Sequence, residues 1–104
     1  SQLDRFLMCI SLGYPDRAAE RALLAGESRR DMLKTLQPVA RPADLVSAQL
    51  AVKTVFASNA LLDYVQALLA HTRGSGRYAE GLSPRAGLAL LAAARAWAWL
   101  DGRD

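Results

Sequence analysis

Apolar positions recur with a helical period in four stretches of this chain. In the first, Ala19, Ala22 and Leu23 share one face, and Gly26 is a natural stop. Pro15-Asp16 opens this helix, because Pro is tolerated in a first turn and Asp suits the positive end of the helix dipole. The second starts near Pro42, where Leu45, Ala48, Val52, Val55 and Phe56 fall at helical spacing with Gln49 and Lys53 elsewhere. Ser58 or Asn59 caps the third, whose stripe is Leu61, Leu62, Val65, Leu68 and Leu69. Ser83 caps the fourth, Pro84 takes its first position, and Gly102 ends it just after Leu100. Between these, Arg30 to Leu36 fits a short helical turn, and Gln37-Pro38-Val39 reads as extended. Arg73-Gly74-Ser75-Gly76-Arg77 opens a loop that runs on to Gly81.

Two stretches do not read as parts of a self-sufficient bundle. Residues 3–12 hold an apolar run closed by Gly13-Tyr14-Pro15, which reads as a buried strand, with a helix as the alternative. A lone strand leaves its backbone groups unsatisfied, and the chain offers no good second strand. The expectation is therefore a segment cut from a larger sheet. In the fourth helix, Arg95 is the only charge from Ala86 to Leu100, and Arg85 lies about 80° from it around the axis. Apolar residues cover the rest. Trp97 and Trp99 are about 200° apart, so one core cannot bury both. A helix apolar nearly all round needs partner surface on several sides. Some of that surface is expected to meet material outside this chain, or a second copy.

Composition supports an all-α domain. Of 104 residues, 20 are Ala and 18 are Leu, both strong helix formers, while only 7% are aromatic. A single cysteine excludes an internal disulfide, and Cys9 reads as a buried small hydrophobe. No stretch approaches the roughly 20 apolar residues that cross a bilayer, and Ser1-Gln2-Leu3-Asp4-Arg5 lacks the shape of a signal peptide. A cytoplasmic protein without a membrane span is expected. The net charge is +3, but the arginines are scattered among acids such as Asp16, Glu20, Glu27 and Asp31. Without a basic stripe interleaved with aromatics, nucleic acid is not an expected partner.

Most chemical constellations are absent from the sequence. There is no Gly-rich phosphate loop carrying Lys and Ser/Thr, and no run of acids to hold magnesium. His71 has no second histidine near it, so no metal site is expected; near a helix C-terminus it is a favourable dipole contact. Two arginines stand out. Arg5 lies in Leu3-Asp4-Arg5-Phe6, and Arg85 lies in Gly81-Leu82-Ser83-Pro84-Arg85-Ala86, within the first turn of the most apolar helix. A cation there opposes the helix dipole at a cost of about 0.3–1 kcal/mol. An anion meeting Arg85 and the helix's free N–H groups would remove that cost. The plain alternative is a solvated surface side chain.

Read together, several segments resemble the MoxR family of AAA+ ATPases. They are Gln2-Leu3-Asp4-Arg5-Phe6, Leu12-Gly13-Tyr14-Pro15, Leu61-Leu62-Asp63-Tyr64-Val65, Thr72-Arg73, Gly81-Leu82-Ser83-Pro84-Arg85-Ala86 and Gly102-Arg103. Their order and spacing agree with the family over essentially the whole chain. The resemblance implies that residues 1–14 are the end of the ATPase core and residues 15–104 the helical lid, a small bundle of about four helices. It implies that Arg5 is an arginine finger acting on a neighbouring subunit's nucleotide, a role worth about 10³–10⁵ in rate. It implies that Arg85 is the second sensor, touching the terminal phosphate on its own subunit or a neighbour's. Both roles suit a permanently charged, forked donor. ATP and Mg are the cofactors so implied for a full-length parent, with the phosphate loop and magnesium-binding acids upstream, so that this chain alone is no enzyme. The implied partners are neighbouring AAA+ subunits in a hexameric ring and proteins with von Willebrand factor A domains, and the implied task is chaperone-like remodelling or assembly. Two departures stand out: Cys9 replaces an Arg common in relatives, and a further short helix after Gly-Arg-Asp is missing, which would leave Trp99 uncovered. The alternative from another class is a stand-alone helical interaction module that docks through the apolar fourth helix.

Overall fold

Helix starts in this chain coincide with side chains able to serve a free backbone N–H. The structure, a computed structural model, describes residues 2–26 and 28–103. Helix α1 (Arg17–Ala25) begins where Asp16 Oδ1 accepts from the Ala19 N–H at 2.7 Å. A short α2 (Arg29–Leu33) follows. Helix α3 (Pro42–Thr54) opens with the Asp44 carboxylate accepting the Arg41 N–H at 2.8 Å. Ser58 Oγ caps α4 (Asn59–Gly74) by accepting from the Leu61 N–H at 3.2 Å, and Ser83 Oγ caps α5 (Pro84–Leu100) by accepting from the Ala86 N–H at 3.1 Å. Gly102 closes α5 with φ +69°, a left-handed conformation that costs glycine nothing. The Arg103 N–H then reaches back to the Ala98 carbonyl at 2.8 Å.

Helix α5 is the centre of the packing. Helices α3 and α4 both lie against it, as does a single 3-10 turn at Leu3–Arg5. On α4 the half-buried positions are Leu61, Val65, Leu69 and Thr72, one narrow line down the helix. Gly87 of α5 is buried beneath Leu69; a Cβ there would sit 2.7 Å from Leu69 Cδ1. The absence of a side chain at Gly87 sets how closely α4 and α5 approach. Val55, just past the end of α3, is the one buried large hydrophobic among the described residues.

The all-α fold class stands, and several finer expectations are corrected. Among the described residues there is no strand: after the Leu3–Arg5 turn the chain runs without regular structure to Asp16, and residues 6–16 are exposed. A strand needs a neighbour for its backbone groups, and no second strand is present here. Cys9, expected to be buried, is exposed with that segment. Helix α1 packs on no other helix among the described residues. Its apolar face is two alanines and Leu23, too little surface to repay ordering against α5. The radius of gyration is accordingly 19.5 Å, against about 13 Å for a compact chain of this length. Both tryptophans are exposed, but Trp97 more than Trp99, at 70% and 39%. Arg95, the lone charge between Ala86 and Leu100, is half-buried, and its buried Nε has no hydrogen-bond partner among the described residues. No single helix is long and apolar enough to cross a membrane.

Candidate functional site

The two arginine-bearing segments meet at the N-terminus of α5. The segment before α5 is fixed first by the end of α4. Arg73 Nε donates to the Leu82 carbonyl at 2.8 Å, and the Leu82 N–H donates to Thr72 Oγ1 at 3.0 Å. Thr72 Oγ1 in turn donates to the Leu69 carbonyl at 2.8 Å, so its hydroxyl serves both chains. Gly81 lies flat on Arg73: a Cβ at that position would come 2.8 Å from the Arg73 Cα. Only a glycine allows this approach without moving backbone.

Against this fixed corner rests the Leu3–Arg5 turn. The turn is closed by the Phe6 N–H donating to the Leu3 carbonyl at 3.1 Å. It directs Asp4 at the first residues of α5. Ser83 Oγ donates to Asp4 Oδ1 at 2.6 Å, a contact across 79 positions of sequence. The second carboxylate oxygen, Oδ2, lies 3.5 Å from Arg85 Nη1. The Ser83 hydroxyl thus accepts from the helix and donates to Asp4 at the same time. Asp4 is itself an anion at the positive end of α5, so it offsets the charge that Arg85 places there. The ion pair is long and the Arg85 side chain is 63% exposed, so its own contribution to stability is small.

The backbone at this helix end has little left to offer an anion. Pro84 has no N–H, the Ala86 N–H is taken by Ser83 Oγ, and the Gly87 N–H is taken by the Ser83 carbonyl. The expectation that free N–H groups join Arg85 therefore reduces to the Arg85 amide. Arg5 is exposed, and its guanidinium has no partner among the described residues. A cavity of about 670 Å³ opens between the turn and α5, lined by Phe6, Met8, Leu90 and the carboxyl-bearing Asp4 and Glu80 among others. Neither Arg5 nor Arg85 lines it. Its wall is apolar and acidic.

Sequence reasoning found Arg5, Arg85 and the Ser83 cap, but not the work of Asp4, Thr72 and Arg73. All three lie inside the quoted motifs. No local rule, however, links a carboxylate near one end of the chain to a hydroxyl near the other.

Comparison with known proteins finds relatives of the chain. Residues 70–104, from late α4 through α5, match the AAA lid domain family. The whole chain is 35% identical to an uncharacterized protein, YeaC, of Bacillus subtilis, covering 32% of that protein. It is 33% identical to the chaperone MoxR1 of Mycobacterium tuberculosis, again over the whole chain and 29% of the relative. The chain therefore spans about a third of the length of the curated relatives it matches. No solved structure matches it. The lid-family match and the two relatives together support a lid segment of the MoxR family of AAA+ proteins.

Proposed function

We propose that this lid serves a MoxR-type ATPase, coupling ATP binding and hydrolysis to chaperone-like remodelling or assembly of other proteins. On this reading residues 1–14 end the ATPase core and residues 15–104 form the lid. Arg85 is the second sensor and Arg5 the arginine finger presented to a neighbouring subunit. The single observation that carries the reading is the junction at α5: Asp4, beside Arg5, is bonded to Ser83 and paired with Arg85. The carboxylate next in sequence to Arg5 thereby meets the guanidinium of Arg85.

The residues present fit one part of a nucleotide and not the rest. Arg85 is exposed, forked and permanently charged, as a terminal phosphate requires. No group of three or more His, Cys, Asp or Glu residues suited to a metal ion occurs among the described residues. ATP supplies a hydrolysable phosphoanhydride; Arg85 contributes charge and position, and Arg5 contributes charge to a neighbour. The partners assigned are neighbouring subunits of a ring and client proteins, with von Willebrand factor A domain proteins among them, and the compartment is the cytoplasm. The name of the mycobacterial relative, a chaperone, supports the remodelling role.

The test uses the whole ATPase. Arg5→Ala abolishes most turnover while leaving ATP affinity nearly intact. Arg85→Ala lowers turnover and weakens binding of nucleotides with a terminal phosphate. Parental ATP hydrolysis in both variants refutes the reading.

A further inference from the structure

We propose that Asp4 is a positioning residue that occupies Arg85 in the absence of nucleotide, so that Asp4 and a terminal phosphate compete for one guanidinium. The inference rests on the sensor reading of Arg85 above. The two bonds of Asp4 are unequal. Its Oδ1 is held by the Ser83 hydroxyl at 2.6 Å, whereas its Oδ2 stands 3.5 Å from Arg85 Nη1. The first is a short, well-made hydrogen bond and the second a loose ion pair. Ser83 is thus the anchor and Arg85 the exchangeable member.

The surroundings favour exchange. The Arg85 side chain is 63% exposed, whereas that of Asp4 is only 32% exposed. Arg85 can turn towards an incoming group while Asp4 stays on Ser83. A phosphate offers several oxygens to both arms of the guanidinium, which one carboxylate oxygen at 3.5 Å does not. The backbone of α5 adds almost nothing, because Pro84 and the Ser83 cap remove the first N–H groups. Arg85 is therefore the group over which the two anions compete. While Asp4 holds it, the dipole conflict at α5 is relieved; when a phosphate takes it, the same relief comes from the phosphate.

Asp4→Asn tests this, since Asn retains an acceptor for Ser83 and removes only the charge. In the whole ATPase, Asp4→Asn is expected to tighten binding of ATPγS about two- to five-fold, the scale of a partly exposed ion pair. ADP, which lacks the terminal phosphate, keeps its parental affinity. Asp4→Glu restores parental ATPγS binding, and in an Arg85→Ala background Asp4→Asn has no effect. In the nucleotide-free chain, the Arg85 guanidinium resonance shifts on Asp4→Asn while the helical circular dichroism is unchanged. Unchanged ATPγS affinity in Asp4→Asn, with Arg85→Ala still weakening it, overturns the competition and leaves the sensor reading standing. An equal effect on ADP and ATPγS also overturns it. If Arg85→Ala leaves ATPγS affinity unaltered, the sensor reading itself fails.

Discussion

Single residues here decide whether neighbouring segments can approach. Gly81 has the Arg73 backbone directly beneath it, so Gly81→Ala must push the loop off α4. The expected cost is about 1–3 kcal/mol, read by thermal unfolding, with loss of protection at the Leu82 amide in hydrogen exchange. A second residue-scale case lies at the start of α3. Arg41 Nε and Nη2 donate to the two oxygens of Asp44 at 3.2 and 2.9 Å, and the Arg41 N–H adds a third bond. The Arg41 guanidinium, and after it the Arg41 backbone N–H, holds the Asp44 carboxyl below its ordinary value. A lowered folded-state value means the stabilisation is fully present above the usual aspartate range. It is lost as pH falls through the lowered value. NMR titration of the Asp44 carboxyl is expected to give a midpoint below that of Asp in an unfolded peptide, and fraying of α3 should track it.

At the scale of helices, caps offer a controlled comparison. Ser58 and Ser83 make the same bond to the helix they start, but only Ser83 also holds Asp4. Ser58→Ala is expected to cost about 0.5–2 kcal/mol, the usual loss of a cap. Ser83→Ala should cost more, because it strands the Asp4 carboxylate as well; equal losses by urea unfolding would mean the tie adds nothing. Arg95 on α5 gives the opposite sign. Its buried Nε has no hydrogen-bond partner among the described residues, so Arg95→Met is expected to raise stability by roughly 1 kcal/mol, seen as a higher Tm. These helices were largely legible in the sequence because their causes are local: Ser83-Pro84, Ser58 and Gly102 act on residues within one turn. The Leu3–Leu12 run reads as a strand from its apolarity and its Gly-Pro stop, but neither says whether a pairing edge exists, and the described residues hold none. The junction at α5 was half legible. Arg85 announced itself by opposing a dipole and Arg5 by its Leu-Asp-Arg-Phe setting, whereas Asp4 found its partner only through the folding of everything between.

Over the whole molecule, order is unevenly shared. Helices α3, α4 and α5 pack together, and α1 and α2 touch none of them among the described residues. Large apolar side chains such as Leu12, Leu88, Trp97 and Leu100 are exposed, at 94%, 70%, 70% and 73%. Hydrogen exchange is expected to divide the chain accordingly, with slow amides confined to α3–α5 and near-random rates through α1 and α2. Uniform protection across all five helices would contradict this division. The Leu3–Arg5 turn belongs with the slow group although it lies far from α3–α5 along the chain, because α5 holds it.

That turn is attached to the lid by two routes, one covalent through the exposed residues 6–16 and one through Asp4. A protease nick within that stretch severs only the first. The severed N-terminal peptide then stays or leaves according to its contacts with α5, those of Asp4 with Ser83 and Arg85 among them, so its rate of escape gauges that grip.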